Sequence, residues 1–226
     1  MDKGKHPGVV LDEQLKQTEL GEFILKYKMP FIVLVVAIFL SLVGYGVYGY
    51  FTEQRNGKIS EKIYQFENKE YKDFVDKKIS LEEFIGKFKA LLDESSGFSG
   101  VVSLNIEVSD TLVKQGNLKE AKDVLERGRN LFASSNPFIG HFYYSRLANV
   151  YEDLAEYPRA VEVLEKMLEE KIKLLEWKTY LDIGRMYLKI GNKEKAKASF
   201  KYVIENFNEE EYSKVARLYL QKVGQK

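Results

Sequence analysis

The sequence predicts an all-α protein in which one N-terminal transmembrane helix precedes an α-solenoid of helical hairpins. Three observations lead to this prediction. Residues 29–52 carry no charged side chain, and the chain after residue 97 repeats one spacing of large and small residues. Only 4 prolines occur in 226 residues, and Asn-Gly or Gly-Gly turns are nearly absent, which favours helix over sheet. With 45% hydrophobic residues, the chain can bury a sizeable core.

The uncharged segment, residues 29–52, is predicted to cross a membrane as a helix. Its core reads FIVLVVAIFLSLV, from Phe31 to Val43. A helix of this length spans about 36 Å, against about 30 Å for the hydrocarbon core of a bilayer. A cleaved signal peptide is the rival interpretation, with a small-x-small cleavage site at residues 44–46. Its charged region and its apolar core would both be longer than those of usual signal peptides, so we expect the segment to stay uncleaved.

Packing and orientation of this helix follow from smaller features. Ala37, Ser41 and Gly44 form a stripe of small residues that could pack against another transmembrane helix, or that simply occurs in a lone anchor. Basic residues flank both ends equally, but Lys26 and Lys28 lie closest to the membrane. We therefore predict that residues 1–28 form a cytoplasmic tail and that the repeats lie across the membrane.

The region after the membrane segment contains internal repeats. The best copy places a large residue, a small residue and an aromatic on a first helix, then alanine early in a second helix. Its packing positions are Tyr180, Ile183, Gly184, Tyr187, Gly191, Ala196, Phe200 and Val203, and the matching copy has Tyr144, Leu147, Ala148, Tyr151, Ala155, Ala160, Leu164 and Met167. A weaker copy runs from Val108 to Gly128, and Tyr212, Val215, Ala216 and Tyr219 form a half-copy at the end of the chain. This is the pattern of tetratricopeptide repeats.

The repeat pattern gives roles to its small residues. The turn residues Gly116, Ala155 and Gly191 should separate the two helices of each hairpin. Gly184 and its counterparts should mark the closest approach of packed helices, so Gly184→Leu should destabilise while Gly184→Ala should be mild. We interpret residues 53–97 as a helical N-terminal cap, in which Ser80 and Glu83 form a capping box. Residues 98–226 are the repeats with a C-terminal capping helix.

Several function classes are excluded or disfavoured by composition. The net charge of +1 and the mixing of lysine with glutamate predict no nucleic-acid partner. The chain has no cysteine and only 2 histidines, and we find no nucleotide, metal or nucleophile motif. No catalytic, cofactor or metal residue is predicted, so we expect the protein not to be an enzyme. His141 and Trp177 are expected to be structural.

The order of a short tail, one membrane helix and divergent repeats resembles the YfgM-like family, an ancillary subunit of the bacterial SecYEG translocon. The stretches that carry the resemblance are GFSGVVSLNIEVSDTLVKQGNLKEAKDVLERG, FYYSRLANVYEDLAEYPRAVEVLEKML and YLDIGRMYLKIGNKEKAKASF. The resemblance implies an inner-membrane protein with periplasmic repeats, which assists secreted or envelope polypeptides beside SecYEG and a membrane-anchored periplasmic chaperone. Residues 58–96 match nothing in that family.

Two other functions stay open. One is a cytosol-facing receptor or adaptor with the same anchor, and the other is a structural envelope-assembly protein without a polypeptide client. In all three cases we expect partners in the groove lined by first helices. The predicted groove residues are Phe142, Ser145, Asn149, Glu152, Lys178, Leu181, Arg185 and Lys189.

Repeats that clamp a C-terminal carboxylate have lysine and asparagine on the groove face of the first repeat. The matching positions here hold Ile106 and Asp110. A negative Asp110 would repel a carboxylate, so we expect sequence-tolerant contacts rather than capture of a chain terminus.

Overall fold

The computed structural model describes residues 23, 26–207 and 210–224, which fold into α-helices without any strand. The predicted tail, residues 1–28, lies almost entirely outside this part of the chain. Contacts between residues divide the chain into two units, residues 1–57 and residues 58–226. The predicted all-α solenoid is confirmed in the second unit.

The first unit is mainly the start of a long helix, α1 (Lys28–Phe66). Its buried residues are Ile59, Ile63 and Phe66, so no side chain of the uncharged segment is buried. By its length and composition, the helix is long and apolar enough to cross a membrane. Ser41 Oγ donates a hydrogen bond to the Ala37 carbonyl at 2.8 Å. This hydroxyl is thereby satisfied inside its own helix, as a hydrocarbon environment requires.

The second unit consists of the end of α1 and a series of shorter helices. A π-helical segment, Glu67–Tyr71, links α1 to α2 (Lys72–Val75). The remaining helices are α3 (Leu81–Glu94), α4 (Val102–Lys114), α5 (Leu118–Phe132), α6 (Pro137–Asp153), α7 (Tyr157–Glu169), α8 (Glu176–Ile190), α9 (Lys193–Asn206) and α10 (Glu210–Gly224). Each of α4, α6 and α8 packs against the helix that follows it, and α5, α7 and α9 also pack against the next first helix.

The turns inside the hairpins share one geometry. Gly116, Ala155 and Gly191 all have positive φ, at 80°, 57° and 87°. In each turn this residue donates its N–H to the carbonyl three residues back, and the next residue donates to the carbonyl five residues back. These are the two bonds of the Schellman motif, which satisfies carbonyls at the end of the first helix. The predicted role of the three turn residues is confirmed.

A fourth turn of this kind lies before the repeats that the sequence revealed. Lys77 has φ of 61°, and the N–H groups of Lys77 and Lys78 make the same two bonds to Phe74 and Asp73. Lys77 is as far from Gly116 as Gly116 is from Ala155. Residues 58–97 therefore form a helical hairpin with the turn geometry of the repeats.

Ion pairs between second helices also place α3 as the second helix of a hairpin. Asp93 of α3 accepts hydrogen bonds from both the Nε and the Nη2 of Arg127 on α5, the former at 2.7 Å. Lys89 of α3 lies 3.5 Å from Asp123 of α5. Both pairs join residues 34 apart, which is the length of one tetratricopeptide repeat.

The core follows the predicted small and large positions. Ala148, Ser109 and Ala216 are buried, as is Gly184. A methyl group on Gly184 would lie 2.7 Å from Cζ of Phe200, a ring that is completely buried. The expectation that Gly184→Ala is mild is therefore wrong, because the ring of Phe200 already fills the space that alanine needs.

Candidate functional site

The first helices α4, α6 and α8 are joined by polar contacts between side chains. Arg146 of α6 donates two hydrogen bonds to the carboxylate of Asp110 on α4, at 3.0 and 3.1 Å. Arg185 of α8 donates to Glu152 on α6. These pairs bring α4, α6 and α8 side by side and define what we call the first-helix surface: Asp110, Phe142, Ser145, Arg146, Asn149, Glu152, Lys178, Asp182, Arg185 and Lys189.

Most charges on this surface compensate one another. Asp182 accepts hydrogen bonds from Arg185 at 2.6 Å and from Lys178 at 2.5 Å. Burial alone would lower the pKa of Arg185, but the charges of Asp182 and Glu152 outweigh burial and raise this pKa. The guanidinium is thus held in place between two carboxylates. A charged ligand would have to compete with these pairs.

Four of the predicted groove residues have side chains that are not engaged in the ion pairs of this surface. Phe142 is 48% exposed, Asn149 is exposed and Ser145 is half-buried. Lys189 is exposed, and no ion pair engages it in the described part of the chain. The surface therefore offers one aromatic ring, amide and hydroxyl groups, and one ammonium group to a partner.

One predicted groove residue is not available for binding. Leu181 is 6% exposed and belongs to a buried cluster with Ala196, Phe200 and Val203. The repeat offset predicts a surface position for Leu181, but this apolar side chain packs against the following helix instead. Leu181 is a core residue.

Ile106 and Asp110 occupy the two positions that hold lysine and asparagine in repeats that clamp a C-terminal carboxylate. Ile106 is half-buried against the core and has no polar atom in its side chain. Asp110 is paired with Arg146, so its charge is compensated and repulsion of a carboxylate is weaker than the sequence suggested. Neither side chain can donate a hydrogen bond to the carboxylate of a chain terminus.

Arg146, Asp182 and the pairing of Asp110 were not predicted from the sequence. A signal was present, because the paired residues are 36 and 33 positions apart, close to one repeat length. Opposite charges at that offset on first helices face each other across neighbouring hairpins. The hydroxyl oxygens of Tyr71 and Thr111 lie 2.8 Å apart. The hairpin of residues 58–97 therefore also makes a polar contact with α4.

Two residues expected to be structural are buried or stacked. Trp177 stacks on Tyr212 of α10, with ring centroids 3.6 Å apart. His141 is 9% exposed, and its Nδ1 has no hydrogen-bond partner among the described residues. Burial lowers the pKa of His141, and the charge of Lys178 lowers it further.

Within the uncharged segment of α1, the residues of the predicted small stripe are exposed. Ala37, Ser41 and Gly44 are all exposed, and a methyl group on Gly44 would meet no atom within 4 Å. Whether another helix covers this stripe stays a prediction. Among the described residues, no group of His, Asp or Glu is arranged to hold a metal ion.

Comparison with known proteins agrees with the repeat pattern. Residues 178–206, most of α8 and α9, match the tetratricopeptide repeat. No curated protein sequence shows significant similarity. Among solved structures, the first TPR of Spaghetti (RPAP3) bound to HSP90 peptide SRMEEVD is similar, with a TM-score of 0.44 and 22% identity over 56% of this chain and 93% of that chain. The matched hairpin identifies this chain as one that contains a tetratricopeptide repeat.

Proposed function

We propose that this protein is a membrane-anchored, non-enzymatic scaffold that binds polypeptides through the first-helix surface. The observation that carries the proposal is the alignment of three first helices by inter-helix ion pairs, which leaves Phe142, Asn149 and Lys189 open to a partner. Tetratricopeptide repeats are interaction modules, and repeats of this kind bind along such extended surfaces. The exposed apolar segment of α1 supports the anchor.

The finer proposal places this scaffold in the bacterial inner membrane, with the tail in the cytoplasm and the repeats in the periplasm. There it would assist secreted or envelope polypeptides near SecYEG and a membrane-anchored periplasmic chaperone. The support is the resemblance in the order of tail, anchor and repeats, together with Lys26 and Lys28 beside the apolar segment.

Binding through the first-helix surface can be tested by photo-cross-linking of the full chain in its membrane. A photoreactive residue at Asn149 should give adducts with polypeptides, because this side chain is exposed on the proposed surface. The matched control is Lys201, which is exposed on the second helix α9. Equal adducts from both positions would contradict the proposed surface.

Two measurements test the finer proposal. They are the identity of the adducts and the side of the membrane on which the repeats lie. Translocon subunits or secreted chains among the Asn149 adducts would support it, and other envelope machinery would favour a structural assembly role. Protease added to intact spheroplasts should degrade the repeats if they are periplasmic. Protection of the repeats in intact spheroplasts would favour the cytosol-facing receptor.

A further inference from the structure

The last helix, α10, presents apolar side chains to solvent. It packs on the preceding hairpin through Ala216 and Val223, which are buried. In the half-copy of the repeat, Val215 corresponds to Ile183 and the following Leu218 corresponds to Met186. Those two residues of α8 are 4% and 1% exposed, whereas Val215 and Leu218 are 40% and 58% exposed. The sequence pattern predicted Val215 as a packing residue, but it lies at the surface.

These two side chains belong to a single stripe. Glu211, Val215, Leu218 and Lys222 are spaced by four, three and four residues, so they share one face of the helix. Glu211 and Lys222 are exposed, and neither forms an ion pair within the described residues. The ammonium of Lys222 lies 5.9 Å from the ring centroid of Tyr219. We call these four residues the α10 stripe.

The order of the α10 stripe is self-complementary when two copies run antiparallel. The stripe reads acid, apolar, apolar, base, so reversing it opposes each charge with its opposite and each apolar side chain with the other. A parallel pair would instead oppose Glu211 with Glu211 and Lys222 with Lys222, which is unfavourable. We propose that the α10 stripe binds the α10 stripe of a second copy of this chain, antiparallel and about a two-fold axis.

The proposed contact is small, because each copy contributes one helix face. A contact of this size is weak between molecules free in solution. Confinement of both copies to one membrane raises their effective concentration and compensates for this weakness. That step depends on the proposed anchor, whereas the antiparallel order depends only on α10.

Cysteine pairs can test the antiparallel order directly, because the chain has no cysteine of its own. In the full chain in membranes, Glu211→Cys combined with Lys222→Cys should form a disulfide-linked dimer on mild oxidation. The two positions on one helix are about 16 Å apart, too far for a disulfide inside one copy. Each single cysteine variant should form no disulfide-linked dimer, because the opposing position of the other copy carries no cysteine. The matched control is Glu194→Cys with Glu205→Cys, two exposed positions of α9 with the same spacing.

Charge reversal tests the same contact independently. The dimer fraction is measured in nanodiscs or with a cross-linker that does not react with amines, because the variants change the number of lysines. Glu211→Lys alone and Lys222→Glu alone each place like charges together twice and should lower the dimer by about tenfold. The double reversal restores opposite charges and should restore the dimer. All three variants change exposed side chains, and unchanged helicity and thermal unfolding would show that they fold.

Several results would overturn the proposal. These are a double cysteine variant that forms no disulfide-linked dimer, cross-linking of single cysteines as efficient as that of the pair, or no recovery in the double reversal. Cross-linking of the stripe to a different protein alone would assign this face to another partner and equally reject the dimer. None of these results bears on the first-helix surface, whose Asn149 adducts are scored separately.

Discussion

At the scale of single residues, each of the three repeat hairpins after residue 97 has its own combination of a small first-helix residue and a larger second-helix residue. The pairs of positions are Ser109 with Leu125, Ala148 with Leu164, and Gly184 with Phe200. All of these residues are buried. The summed side-chain volume of the two residues is similar in the three pairs, since the largest second-helix residue accompanies glycine. Packing at these sites is therefore coupled between the two helices.

We expect Gly184→Ala to lower the free energy of unfolding by about 1–3 kcal/mol, because the added methyl group collides with the Phe200 ring. Phe200→Leu should leave a cavity and also destabilise. The double variant recreates the combination of Ala148 and Leu164, so its loss should be smaller than the sum of the single losses. Urea unfolding of the detergent-solubilised chain measures all four proteins. Strict additivity would show that the two sites do not compete for space.

The turns allow a second prediction, with matched variants at equivalent positions. Ala155 and Lys77 adopt a left-handed conformation that costs an L-residue roughly 1–2 kcal/mol and glycine almost nothing. Ala155→Gly should therefore stabilise by about 0.5–1 kcal/mol after the entropy of glycine in the unfolded chain is subtracted. Gly116→Ala and Gly191→Ala should destabilise. Thermal unfolding tests this, and the same sign for all three changes would contradict the shared geometry.

His141 leads to a prediction about pH. Its pKa in the folded protein is lowered by burial and then by Lys178, so the unfolded chain binds the proton more readily. The neutral imidazole favours folding above the unfolded pKa of about 6.5, and this contribution is lost as the pH falls below that value. His141→Gln should reduce the decline in the free energy of unfolding between neutral and mildly acidic pH. Parallel declines in the parent and the variant would reject the role of His141.

At the scale of elements, the first helices are held by polar pairs and the hairpins by apolar packing. The ion pairs of Asp110 with Arg146 and of Glu152 with Arg185 are partly exposed. Each contributes little to stability in water, typically below about 1 kcal/mol. Their larger effect is to fix which side chains face a partner, because they align α4, α6 and α8. The first-helix surface is thus nearly neutral and offers few charges for a ligand terminus.

This neutrality predicts how acidic-tailed peptides bind. Peptides with a free C-terminal carboxylate and their amidated forms should bind the chain equally, since neither Ile106 nor Asp110 can donate a hydrogen bond to the terminus. Fluorescence anisotropy of both peptide forms measures the difference. A free form that binds tenfold more tightly, about 1.4 kcal/mol, would revive a clamp for chain termini.

At the scale of the whole molecule, an exposed apolar helix segment and a set of repeats with buried cores occur in one chain. Phe31, Phe39 and Leu42 are each more than 60% exposed, which is unfavourable in water and favourable in lipid. We expect the chain to be extracted from membranes by detergent, with the intact mass of the uncleaved sequence. A mature protein that begins between Tyr45 and Phe51 would identify the segment as a signal peptide.

The sequence by itself determined the helical class, the apolar segment, the hairpin turns and the small positions, because each depends on local spacing or on backbone preference. Gly116 and Gly191 could be recognised since a left-handed turn favours glycine, and Ala155 by its place in the repeat spacing. Only the tertiary structure decided that Lys77 makes the same turn, that Leu181 is buried and that Val215 is exposed. It also decided that Arg146 and Arg185 find their carboxylates on neighbouring hairpins. These features depend on how one helix is rotated against the next, and a single period along the sequence does not contain that rotation.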